Sequence, residues 1–174
     1  MPNTSNPYDR VPPVPGFTLT STDVADGVQV PTTQLSGIFG AGGSDTSPQL
    51  SWSDFPPGTR GFAVTLYDPD APTPSGFWHW ALVDIPAEVT SLPGGAGDGD
   101  LPEGGFHLPN DAGLPRYAGA APPPGTGAHR LFFVVHAVDV ETLGLPATTT
   151  PAMLAVTLAA HTLARATLVP IAGE

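Results

Sequence analysis

The sequence contains no cysteine and no lysine. Without cysteine the chain can form no disulfide, thiolate nucleophile or cysteine-ligated zinc site. All five basic residues are arginines (Arg10, Arg60, Arg116, Arg130 and Arg165). They stand against 16 Asp and Glu, leaving a formal charge of −11. A protein that grips nucleic acid or an anionic membrane needs a basic face to displace counterions, and this chain cannot build one. Any anion it binds is therefore held by a few local donors, not by a long-range field. No apolar run approaches 18 residues, so no membrane-spanning helix is expected. The opening "MPNTSNPYDRVPPVPG" shows neither a basic start nor an apolar stretch. No secretory leader is read there, and a cytoplasmic location is expected.

Proline (23) and glycine (21) are abundant in the 174 residues. They lie between apolar runs and punctuate many short elements. The length suits one domain over residues 17–174, preceded by an irregular Pro-rich arm over residues 1–16. "FTLTSTDVADGVQVP" predicts a hairpin about Asp26-Gly27, and residues 49–52 a short strand. "GFAVTLYD" is a clear strand. "GFWHWALVDIP" is apolar on both faces and predicts a central strand covered on each side. "HRLFFVVHAVDVETL" is the third strong strand. Residues 92–128 form a long irregular region, functional or anchored by its own packing. The stretch "TPAMLAVTLAAHTLARATL" predicts a C-terminal helix, with Thr150 as cap and Pro151 at the first helical position. Strands first and one helix last predict a mainly β fold, an antiparallel Greek-key β-sandwich with a C-terminal α-helix.

Alternation then singles out ionisable groups. In "FAVTLYD", Asp68 ends the row Phe62, Val64, Leu66. In "FWHWALVDI", His79 shares a row with Phe77, Ala81, Val83 and Ile85, and Trp78, Trp80 and Leu82 take the other face. His129 opens the row Leu131, Phe133, Val135. Charged groups ending apolar rows are costly without partners, and strand ends at one rim of a sandwich are where binding sites gather. Pro69, Pro72 and Pro74 stiffen the loop that carries Asp70. Asp68, Asp70, His79 and His129 are thus the candidate site, and an imidazole carries N–H groups that it can donate. His129, as a donor and not a core group, should be removable at small cost in stability.

"SPQLSWSDFPPGTRGFAVTLYDPDAP", "GFWHWALVDIP" and "YAGAAPPPGTGAHRLFFVVHAVD" resemble, in order and spacing, the phosphatidylethanolamine-binding proteins, the family of Raf kinase inhibitor protein, and above all its bacterial branch. The resemblance covers about residues 17 to 168. It implies a β-sandwich with a C-terminal helix and a small pocket for phosphate, acetate or phosphorylethanolamine-like headgroups. Asp68 and Asp70 match the pocket aspartates, Pro72 the motif proline on the pocket wall, and His79 and His129 the two pocket histidines. Gly119, Pro122 and Pro123 match the loop at the mouth. Two positions depart from the family pattern: Leu131 replaces a tyrosine, removing a hydroxyl donor, and Ala120 replaces a proline. The resemblance also implies a non-enzymatic role without cofactor, a homodimer, and a regulatory activity of the kinase- or protease-inhibitor kind.

Other chemistries are weaker. A hydrolytic triad of Asp68 and His79 with Ser51 or Ser75 lacks a nucleophile elbow. An Asp/His acid–base hydrolase or lyase acting on a small phosphate ester is the alternative to binding. His79, His129 and Asp70 are also the right types for a two-histidine, one-carboxylate metal site. "GDGD" at residues 97–100 lacks a full calcium loop. His107, His136 and His161 read as packed or surface groups.

Overall fold

The structure is a computed structural model describing residues 4–174; residues 1–3, the start of the expected arm, lie outside the described residues. Its centre is a five-stranded antiparallel sheet. β3 (Gly61–Asp68) lies between β4 (Phe77–Pro86) and β8 (Phe132–Val138). The edges are β6 (Phe106–His107) beside β4 and β9 (Thr162–Leu168) beside β8. β8 returns to β3 only after the long irregular segment, the kind of non-local connection that Greek-key sandwiches use. The second layer is a three-stranded sheet of β1 (Thr18–Thr20), β2 (Leu50–Ser53) and β5 (Ser91–Leu92). β7 (His129–Arg130) and β10 (Ile171–Ala172) form a separate pair at one end.

Both faces of the central sheet are covered, as the two-sided apolar pattern of β4 requires. Phe62, Val64, Leu66, Trp80 and Leu82 pack against Leu50, Trp52 and Leu92 of the second sheet. Ala63, Ala81 and Val83 face α1 (Pro151–His161) through Leu154 and Leu158. Burying each such side chain contributes about 1.5–3 kcal/mol. The irregular region is anchored by its own packing, since Leu108, Tyr117 and Ala118 are fully buried within it.

Three sequence expectations give way. The helix ends at His161 instead of running on, and "TLARATL" is β9, paired with β8 from Phe133↔Leu168 to Val138↔Thr162. Alanine and leucine favour helix locally. The open edge of β8 and the alternating burial of Ala164, Ala166 and Leu168 decide for strand. No hairpin forms at Asp26-Gly27: β1 pairs with β2, and Gly27, at φ 68°, turns the chain toward β10. Finally, two bulges in β4 break its strict alternation. Leu66 pairs with Trp80 but Tyr67 with Trp78, so His79 is an extra residue. Phe62 pairs with Ile85 but Val64 with Leu82. Across the second bulge Asp84 takes φ 57°. Trp80, Leu82 and Ile85 therefore share the inner core, while Ala81 and Val83 face the helix.

Candidate functional site

β3 ends in Asp68, and the loop Pro69–Pro72 turns away at once. Asp68 is only 3% exposed. Its Oδ1 accepts the N–H groups of Asp70 (2.8 Å) and Ala71 (3.0 Å), so the carboxylate folds its own loop. Its Oδ2 lies 2.8 Å from His129 Nδ1. His129 Nε2 lies 2.8 Å from Thr126 Oγ1, and the Thr126 hydroxyl donates to the Pro123 carbonyl at 2.7 Å. The imidazole is thus held between the Thr126 hydroxyl on one side and the Asp68 carboxylate on the other. Both nitrogens of His129 are thereby engaged within the protein.

The bulge turns His79 toward the same end of the sheet. Its Nδ1 donates to the Ala118 carbonyl at 2.9 Å. Its Nε2 lies 4.0 Å from Asp68 Oδ2 and has no hydrogen-bond partner among the described residues. Burial holds the His79 pKa below the ordinary histidine value, although Asp68 and the Ala118 carbonyl pull it upward.

Asp68, His79 and His129 form the polar floor of a cavity of about 230 Å³. Its walls are mainly apolar, from Pro72, Pro122, Pro123, Phe39 and Phe77, with Thr73 the polar exception. Six of the eight residues expected from sequence therefore meet in one hollow, and two lie outside its lining. Asp70 is turned away because Arg130 claims it. Arg130 Nε and Nη2 reach its two oxygens at 2.8 Å each, and the Arg130 N–H adds a third bond at 3.0 Å. Burial alone would raise the Asp70 carboxyl; the Arg130 bonds outweigh it and hold it below the usual carboxylate range. This also removes Asp70 from any metal set with the two histidines. Gly119 supports the wall from behind. Its N–H donates to Asp45 Oδ1 at 2.8 Å, and a Cβ there would collide with the backbone of Gln34 and Leu35.

Sequence reasoning missed Arg130, Asp45 and Phe39. Arg130 had one signal, its place next to His129 in a chain of five cations. Asp45 and Phe39 sit in a Gly/Ser-rich stretch without periodicity. Asp45 accepts the N–H groups of Gly37 and Ile38 at 2.9 Å and so shapes the segment that presents Phe39. Leu131, at the position of the family tyrosine, is 1% exposed and belongs to the core. The remaining candidates are engaged elsewhere. Ser51 Oγ accepts from Gln49, Asp98 pairs with Arg116, His107 Nε2 accepts from Trp80 Nε1, and His161 pairs with Asp139. Among the described residues no helix is long and apolar enough to cross a membrane.

Residues 20–171 match the sequence profile of a family described as phosphatidylethanolamine-binding protein. The protein YbcL of Escherichia coli is 42% identical over 158 residues, covering 89% of this chain and 86% of its own. YbhB of the same organism is 42% identical over 152 residues, 86% of this chain and 96% of its own. The crystal structure of YbcL superposes with a TM-score of 0.88 at 41% identity, covering 91% of this chain and 98% of the other. A Chlamydia trachomatis homologue gives 0.77 at 26% identity, with 91% and 98% covered.

Proposed function

The chain belongs to the phosphatidylethanolamine-binding protein family, and we propose that it is a binding protein whose cavity takes a small phosphate- or carboxylate-bearing ligand. Phosphorylethanolamine is the headgroup to test first. The observation that carries this reading is His79 Nε2, a buried nitrogen without a partner on the floor of an apolar-walled hollow. A polar atom left so costs about 1–3 kcal/mol, and a ligand that bonds to it recovers that cost.

Beside it, Asp68 Oδ2 is engaged by His129 Nδ1 at 2.8 Å, which softens the repulsion an aspartate would exert on an anion. His79 is then the group that meets the ligand. A fully ionised anion needs a hydrogen on Nε2, so binding draws a proton onto a histidine that burial otherwise keeps neutral. A ligand with its own hydroxyl, such as monohydrogen phosphate, instead donates to the Nε2 lone pair. The apolar walls suit the methylene part of a headgroup. A binding role is supported by how the polar lining groups are already engaged: Asp68 and His129 bond each other and the loops, and the Thr73 hydroxyl donates to the Gly76 carbonyl.

Titration calorimetry with phosphorylethanolamine, phosphate and acetate from pH 5.5 to 7.5 tests this. Saturable binding is expected, with affinity falling as pH rises above the His79 value of the free protein, by up to about tenfold per pH unit for one linked proton. The conservative His79→Gln should weaken binding at least about tenfold and flatten that dependence. Equal affinity in His79→Gln, or no saturable binding of any of the three, overturns the reading. Phosphate appearing in a phosphorus spectrum of phosphorylethanolamine over hours would replace it with the Asp/His hydrolase.

A further inference from the structure

The central sheet has a second hollow on its other face. The arm of residues 4–16 crosses that face and is pinned at several points. Arg165 Nη2 donates to the Pro12 carbonyl, the Arg165 N–H to the Pro15 carbonyl, and Arg130 Nη1 to the Ser5 carbonyl. Beneath the arm, between it, α1 and the outer face of β3, β8 and β9, lies a cavity of about 40 Å³. Its body is apolar, with Val11 on the arm, Trp78 on β4, and Leu154, Ala155 and Leu158 on α1.

Besides Thr65 and Arg165, three polar groups interrupt that lining. His136 is 4% exposed. Its Nε2 is 3.2 Å from Thr65 Oγ1, and its Nδ1 has no partner among the described residues. Thr162 Oγ1, at the junction of α1 and β9, is buried and likewise without a partner. The Tyr8 hydroxyl, on the arm, approaches Thr65 without making a well-formed hydrogen bond. Buried polar atoms in native proteins almost always find partners. Three such atoms around one hollow point to a common one, and about 40 Å³ is ample for more than a single water.

We infer that this cavity is a second ligand site, taking a small neutral molecule that pairs an apolar body of a few carbons with a hydroxyl or primary amide. The neutrality follows from the walls. Arg165 lines the hollow and repels cations; its Nη2 donates to the Pro12 carbonyl and its guanidinium lies over the Tyr8 ring, 5.2 Å from the centroid. An anion would have to exchange its water for walls that are mostly apolar, which is costly. A hydroxyl or amide both donates and accepts, which matches an imidazole nitrogen and two hydroxyls that can each do either. The Tyr8 side chain, on the arm, forms one wall of the site. This inference does not depend on the first cavity, from which the central sheet separates it.

The test is nuclear magnetic resonance of the full chain with 15N-labelled histidine, titrated with 1-propanol and with propionamide. Saturable shifts of His136 Nδ1, with no movement of His79, are expected. Ala155→Leu fills the hollow from the helix and should abolish those shifts. Thr162→Val removes one hydroxyl at constant shape and should weaken binding about fivefold, the value of one ordinary hydrogen bond. Failure of both probes to move His136, with long-lived water contacts at its ring, overturns the inference in favour of a solvated void. So do shifts that survive in Thr162→Val unchanged, a reading that stands even if Ala155→Leu does not fold.

Discussion

The two hollows lie on opposite faces of one sheet, and each contains a buried histidine with an unpaired nitrogen. Their neighbours make them chemically unlike. His79 has Asp68 Oδ2 at 4.0 Å, and that carboxylate pulls its pKa upward against the effect of burial. His136 has no carboxylate beside it; burial, with Arg165 adding to it, pushes its pKa down to about 3. The carboxylate favours charge on the first histidine, while the second stays neutral at every physiological pH. A single acidic residue at the end of β3 thus separates the electrostatics of the two cavities.

The sharpest way to break this contrast is His129→Ala. It strands a carboxylate that is 3% exposed without its charge partner. Removing one member of a buried pair costs about 3–5 kcal/mol, measurable as a lowered denaturation midpoint. The sequence reading of His129 as a cheaply removable donor is thereby revised, and a loss below about 1 kcal/mol would restore it. Next in size is the acid response of the other cavity. The unfolded chain protonates His136 near pH 6.5 and the folded chain only near 3. The unfolded state therefore binds more protons between those values, and stability falls as pH drops through that window. By pH 5 the loss from this residue is about 2 kcal/mol relative to pH 8. His79 and His107, also lowered by burial, act in the same direction. The difference in slope between wild type and His136→Gln isolates the one residue, and identical slopes would refute its assignment. The smallest effect concerns the helix that roofs the second cavity. Thr150 Oγ1 accepts the Met153 N–H at its start, so Thr150→Ala should cost about 1 kcal/mol. A thermal melt showing no change would mean that Pro151 alone defines the start.

Much of the first cavity was legible in the chain. Asp68 and His129 end apolar rows, and "DPDAP" announces a stiff loop. His79 was found for a partly mistaken reason. Its row was read through strict alternation, and a bulge, which no period reveals, is what brings it beside Asp68. Asp70 lies outside the cavity lining for a reason that no local pattern shows, because its partner Arg130 is 60 positions away. Periodicity reports which way a side chain points, not what waits for it there. The second cavity was invisible, since His136, Tyr8 and Thr162 belong to three unrelated segments.

The sequence alone determined the chemistry on offer: no thiols, no basic face, strands of known polarity, and a few ionisable groups at their ends. Those follow from composition and local period, which are properties of single segments. Which histidine meets which carboxylate, which carboxylate is taken by an arginine, and where the last strand replaces a helix were decided only by the packed sheet. Each of these is an energy of a pair brought together from distant positions, and a pair has no energy until the fold closes the distance.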